Sequence, residues 1–157
     1  MEKIDSLDKK ILSILSANAR VSLKEVADQC GISRAAVHQR LLRLTEEGVV
    51  LGSRFEVNPK SIGYSTCTYV GINLERGNMY KQTVKRFEEI PEVVECHYTT
   101  GPYTMLVKLY AKDNEQLMHL LNDRMQNIPG VVSTETLISL EQSINRMIPI
   151  HTENENT

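Results

Sequence analysis

Apolar residues recur at helical spacing through the first third of the chain. Ile4, Leu7, Ile11, Ile14 and Leu15 make one stripe, with Asp5 or Ser6 placed to cap its start. Ser22-Leu23-Lys24-Glu25 is a capping box: the Ser22 hydroxyl meets the Glu25 amide while the Glu25 carboxylate returns to the Ser22 amide. The helix it opens is predicted to end near Cys30, because Gly31 adopts the left-handed conformation that terminates helices. Ser33 caps a third helix that runs to about Glu47 and stops at Gly48. Two helices joined by a short Gly-containing turn form a helix-turn-helix. The following stretch, Val49 to Val57, mixes apolar and polar residues with β-branched ones and is read as the two-stranded wing of a winged helix-turn-helix.

Asn58-Pro59-Lys60-Ser61-Ile62-Gly63 is a turn-rich connection, and the domain boundary is placed there. The remainder carries an internal repeat. Arg86-Phe87-Glu88-Glu89-Ile90-Pro91-Glu92-Val93-Val94 matches Arg124-Met125-Gln126-Asn127-Ile128-Pro129-Gly130-Val131-Val132 at an offset of 38 residues. Strands are predicted at about 65–75, 93–100, 103–112 and 131–141. One helix carries Tyr80, Val84 and Phe87 on a face, and another Leu117, Leu120, Leu121, Met125 and Ile128. Pro91 and Pro129 each stop a helix. The expected class is α+β, an N-terminal winged helix-turn-helix (1–60) followed by a C-terminal ferredoxin-like βαββαβ sandwich (61–150) and a polar tail (151–157) expected to be disordered. Two helices cover one sheet face, and no element is left for the other. Dimerisation through that face is the physical expectation, so even dilute protein should be dimeric.

Composition excludes several classes. The 157 residues are 41% hydrophobic and 24% charged, near globular averages, and no apolar run is long enough to span a bilayer. The first residues carry both charge signs and no apolar signal region, so a cytoplasmic, nucleoid-associated protein without a membrane partner is expected. Cys30, Cys67 and Cys96 are odd in number and lack a Cys-x-x-Cys pair. With His38, His97, His119 and His151 scattered, no metal site or cofactor is expected. The formal net charge is -2, but residues 1–60 hold 10 Lys or Arg against 8 Asp or Glu, whereas residues 61–157 hold 8 against 12. Any nucleic-acid contact, with double-stranded DNA as the expected partner, should therefore come from the N-terminal part.

On the third helix, 100° per residue places Val37, Leu41 and Leu44 inward and Ala35, Gln39 and Arg43 outward, flanked by Ala36 and His38. Small residues at the helix start allow close entry to the major groove, Gln39 suits adenine, and Arg43 suits guanine or a phosphate. Arg34 and Arg40 lie on the flanks, while Ser22 and Ser33 stand at helix N-termini where phosphates bind. Arg34, Arg40 and Arg43 equally suit a merely solvated helix. On the DNA reading, Arg43→Ala is expected to weaken specific binding by roughly 1–3 kcal/mol without unfolding the domain.

The chain from about 4 to 148 resembles the Lrp/AsnC family of feast/famine transcription regulators. The resemblance rests on Leu7-Asp8-Lys9-Lys10-Ile11-Leu12, Asn18-Ala19-Arg20, Gly31-Ile32-Ser33 leading to Val37-His38-Gln39-Arg40-Leu41, Glu47-Gly48-Val49-Val50, and Gly101-Pro102-Tyr103-Thr104. It implies a sequence-specific regulator without catalytic activity, whose C-terminal domain dimerises, assembles into tetramers or octamers and binds an amino-acid effector. Gly101, Pro102, Tyr103, Thr104, Thr134 and Thr136 are the effector residues implied. In the family this turn usually reads Gly-Asp/Asn-Tyr-Asp. Here Pro102 removes an N–H, and Thr104 removes a carboxylate able to face an ammonium group. Tyr103 also fits core packing, and alternating threonines are ordinary strand residues. Two rival readings accompany the resemblance. Sirohaem decarboxylases look like this family and need basic side chains with a placed histidine; His97 and His119 are present, but in an acidic domain with few arginines. An amino-acid sensor that has lost DNA binding is the other, and the polar outward face at Gln39 and Arg43 speaks against it.

Overall fold

The computed structural model describes residues 4–151, so the polar tail read at 151–157 lies outside the described residues except for His151. By internal packing the chain divides into two compact units. Among the described residues, one takes 4–55 with 144–151, and the other spans Glu56–Ser143. Residues 144–150, counted above with the second domain, group with the first unit, with Ile144, Met147 and Ile148 exposed.

The N-terminal unit holds α1 (Ser6–Ala17), α2 (Leu23–Cys30) and α3 (Arg34–Glu46). Each start is fixed by a local hydrogen bond. Asp5 caps α1 and forms a capping box with Asp8, Ser22 and Glu25 form the box expected on α2, and the Ser33 hydroxyl accepts from the Ala36 amide at 3.1 Å. Gly31, at φ 68°, ends α2 in the left-handed region, which lets the Ile32 amide return to the Ala27 carbonyl at 3.1 Å. Ile11, Val26, Ala27 and Val37 form the buried centre, bordered by Leu7, Ile14, Val21 and Leu41.

The stretch read as a wing contains no strand. Leu51, Phe55 and Val57 are 94%, 74% and 55% exposed, and Phe55 is met by the Arg20 guanidinium 4.8 Å from its ring centroid rather than by an apolar surface. A two-stranded ribbon without such a surface is marginal in water.

The second unit is the expected sandwich. A 3₁₀ turn at Pro59–Ile62 leads to β1 (Thr66–Leu74), α4 (Tyr80–Glu88), β2 (Val93–Tyr98), β3 (Met105–Ala111), α5 (Asn114–His119) and β4 (Val131–Ser139). The sheet is antiparallel, in the order β2-β3-β1-β4. Beyond His119, α5 widens into a π-helical turn, Leu120–Met125, where the Gln126 amide bonds the Leu121 carbonyl at 2.9 Å. Val70 and Ile72 of β1 and Met105, Val107, Leu109 and Ala111 of β3 pack on Phe87, Ile90, Leu117, Leu120, Met125 and Ile128. Thr83, absent from the predicted face of α4, is fully buried and donates to the Met79 carbonyl at 3.0 Å.

Alternation along the strands places Tyr69, Gly71 and Asn73 of β1, Leu106, Lys108 and Tyr110 of β3, and Glu135 and Leu137 of β4 on the face opposite the helices. Lys108 lies 5.8 Å from the ring centroids of both Tyr69 and Tyr110 and pairs with Glu95 at 3.1 Å.

Candidate functional sites

The outward face of α3 is built from residues spaced three and four apart. Ala35, His38, Gln39 and Leu42 are exposed along it, with Arg34 exposed at its start and Ala36 half-buried at its edge. Leu23, Arg34, Ala35 and His38 border an open depression of about 440 Å³. Ser22 and Ser33 stand at the starts of α2 and α3, but both hydroxyls already cap their own helices. The Ser22 hydroxyl also donates to the Glu25 carboxylate at 2.8 Å.

Arg43, read as outward, and Arg40, read on the flank where phosphates bind, are both engaged within the protein. Neither lies on the outward stripe; both turn toward the start of α1. Arg40 Nη1 donates to Asp5 Oδ2 at 2.7 Å and to Asp8 Oδ1 at 2.8 Å, and Arg43 Nη2 donates to Asp8 Oδ2 at 2.6 Å. The Asp5 amide adds a bond to Asp8 Oδ2 at 3.1 Å. Arg43 also faces Glu47 at 3.8 Å. The physical reason is Asp8, which is fully buried: an unpaired carboxylate there is far costlier than ordering two arginines around it. Burial pushes the Asp8 carboxyl up, but the hydrogen bonds from Arg40, Arg43 and the Asp5 amide outweigh it and hold it below the ordinary carboxylate value. Asp5 is lowered as well, by its bond from the Asp8 amide and then by Arg40.

In the second unit, Gly101 (φ 103°) and Pro102 form the turn between β2 and β3. The Thr99 amide closes it onto the Thr104 carbonyl at 3.0 Å, and the Thr99 hydroxyl donates to the Tyr103 carbonyl at 2.8 Å. Thr104 prolongs β3, its amide donating to the Ile72 carbonyl at 2.9 Å and its hydroxyl accepting from the Leu74 amide at 3.3 Å. Tyr103 lies flat over Gly71: a Cβ built on that glycine would stand 2.6 Å from the ring. Its hydroxyl donates to Glu135 Oε2 at 2.7 Å, and that bond raises the phenol's pKa.

Thr134 and Thr136 do not join this group. They pair with Ile72 and Val70, whose side chains face the helices, whereas Glu135 between them pairs with Gly71 on the opposite face. Thr134 instead accepts from Gln126 Nε2 at 3.0 Å, beside an open depression of about 530 Å³ lined by Gln126, Asn127 and Val131 to Thr134. Within the chain the six effector candidates therefore divide between two faces of the sheet. Sequence reasoning missed Gly71, Glu135, Asp5 and Asp8 as partners of the candidate residues. The capping position of Asp5 was the only local signal among them.

Among the described residues, no group of three or more His, Cys, Asp or Glu could hold a metal ion, and Cys30, Cys67 and Cys96 are free thiols. No helix among them is long and apolar enough to cross a membrane.

Comparison with known proteins matches both units. The family described as "Lrp/AsnC ligand binding domain" matches residues 67–149, and "Winged helix-turn-helix DNA-binding" matches residues 4–50. Regulatory protein AsnC of Escherichia coli (strain K12) is 37% identical over 145 residues, covering 92% of this chain and 95% of its own. The solved structure of E. coli AsnC aligns with a TM-score of 0.87 over 94% of this chain and 99% of that one, at 37% identity. A feast or famine regulatory protein from M. tuberculosis, solved in complex with L-methionine, aligns with a TM-score of 0.87 at 27% identity, over 95% of this chain and 100% of that one.

Proposed function

Because the chain belongs to the Lrp/AsnC family of transcriptional regulators, we propose that it binds operator DNA through the outward face of α3 and answers to an amino acid at its C-terminal domain. The observation that carries the DNA reading is that face itself: Arg34, Ala35, His38 and Gln39 are exposed together on a capped helix. Ala35 allows close approach, Gln39 offers its amide to an adenine edge, and Arg34 reaches a phosphate beside the helix N-terminus. Arg40 and Arg43 act chiefly by fixing α3 against α1 through Asp8. The division of labour is DNA contact in 1–60 and effector response in 61–150, carried out in the cytoplasm and on the nucleoid.

The working unit is at least a dimer formed through the helix-free face, where Tyr69, Leu106, Tyr110 and Leu137 supply apolar surface. Dimers present two α3 helices to successive major-groove segments about one turn apart, which calls for an imperfect palindrome. Assembly into tetramers or octamers raises apparent affinity by effective concentration. A free amino acid, the ligand class seen in the L-methionine complex of the M. tuberculosis relative, is the effector. Glu135, held beside Tyr103, supplies the carboxylate that Thr104 does not. Since Tyr103 and Thr134 lie on opposite faces of one protomer, a ligand touching both sets sits where protomers meet. It changes regulation by binding one assembly state more tightly than another. Catalysis has no part in this reading.

The test is fluorescence anisotropy on DNA from upstream of the protein's own gene against a scrambled duplex, at two salt concentrations and with a panel of amino acids. Preferential binding that an amino acid shifts is expected; equal binding to both duplexes with no amino-acid effect would overturn the reading.

A further inference from the structure

We propose that Leu42 is a specificity-determining residue that reads the C5 methyl group of a thymine; this rests on the assignment of the outward face of α3 to the major groove. Leu42 is 50% exposed in a helix whose other leucines, Leu41 and Leu44, turn inward. It follows Gln39 by three positions and His38 by four, so it continues the stripe begun by Ala35 and is a neighbour of both.

The two arginines of α3 near it and the Thr45 hydroxyl are engaged elsewhere. Arg40 and Arg43 are drawn to Asp5 and Asp8, and the Thr45 hydroxyl donates to the Leu41 carbonyl of its own helix at 2.7 Å. The stripe therefore offers one bidentate amide at Gln39, an imidazole at His38, and apolar surface at Ala35 and Leu42. In the major groove the apolar feature presented by a base pair is the thymine methyl. With a rise of 1.5 Å per residue, Leu42 stands about 4.5 Å further along the helix axis than Gln39. That separation addresses it to a base pair near the one Gln39 meets.

Deoxyuridine keeps the pairing edge of thymine and lacks only the methyl, so it isolates this contact. The experiment selects a preferred duplex from a random pool with the whole protein, replaces each thymine in turn by deoxyuridine, and measures affinity for the wild type, Leu42→Ala and Leu42→Met. At one thymine per half-site, loss of the methyl is expected to weaken wild-type binding about fourfold, the effect of withdrawing one buried carbon. Leu42→Ala should bind the thymine and deoxyuridine duplexes equally, while Leu42→Met, which keeps apolar reach, retains the discrimination. Full discrimination in Leu42→Ala, or no methyl dependence anywhere in the wild type, overturns the proposal. Failure of the wild type to select any duplex overturns the DNA reading beneath it and is distinguishable from both. Alanine favours helix, and the side chain is half exposed, so circular dichroism should show α3 intact in Leu42→Ala.

Discussion

Arg43 reaches from α3 to α1 and donates from Nη2 to Asp8 Oδ2 at 2.6 Å, onto a carboxylate that no solvent touches. With Arg40 on the other oxygen of Asp8, the pair sets where α3 lies relative to α1.

Arg43→Ala should therefore act first on stability. Removing one partner of a buried ion pair costs about 3–5 kcal/mol, and because Arg40 still holds Asp8, a loss of about 2 kcal/mol is expected. A denaturant midpoint for the N-terminal unit measures it. An unchanged midpoint with weakened operator binding would return Arg43 to the DNA surface.

Acid should loosen the same helices. Asp8 and Asp5 are both held below their unfolded values, so their contribution is complete above about pH 4, the ordinary carboxylate value, and is lost as pH falls through their lower folded values. Thermal melts from pH 6 down to pH 2 should show the N-terminal unit destabilising in that window. Asp8→Asn should lower stability at neutral pH and flatten this dependence.

How much of this was readable beforehand depends on how far apart the partners are in sequence. The Ser22–Glu25 box and the Gly31 stop are settled within a few residues and stand where the sequence puts them. The repeat at an offset of 38 residues, with the apolar patterning around it, located both helices of the sandwich and all four strands, because apolar periodicity reports burial directly. Arg43 was misplaced because periodicity assigns a face to a Cα, while a long side chain follows its counter-charge. Asp8 lies 35 residues away, and nothing local to α3 announces it. Glu135 reaches Tyr103 only through the register of β1 with β4, which no single strand encodes. The wing failed for a related reason: alternation records an inclination to pair, and residues 49–57 have no ladder partner among the described residues.

Gly71→Ala tests the Tyr103 shelf. A methyl at that position would stand 2.6 Å from the ring, so Tyr103 must move and its bond to Glu135 is lost. Overpacking of this kind costs about 1–3 kcal/mol. The amino-acid response of DNA binding should fall while operator affinity without effector is kept; Tyr103→Phe, which removes the hydroxyl and leaves the packing, should reproduce the loss. A full response in both variants would place the effector elsewhere.

The helix-free face is tested by charge. Leu137, about half exposed beside Tyr69, should tolerate arginine in an isolated protomer and oppose a second copy. Sedimentation at micromolar concentration should find the wild type dimeric and Leu137→Arg shifted toward monomer. A monomeric wild type would contradict the expectation drawn from the uncovered sheet.

The carboxylates on α1 also bear on how the protein finds its target. Arg40 and Arg43 of α3 are paired from within, so if α3 is the DNA face fewer counterions should be released when it meets an arbitrary stretch of duplex. On the DNA reading proposed above, random DNA is then expected to hold the protein only briefly. Residence is left to sites where base edges match the stripe, and occupancy of those sites should vary little as cellular salt rises and falls.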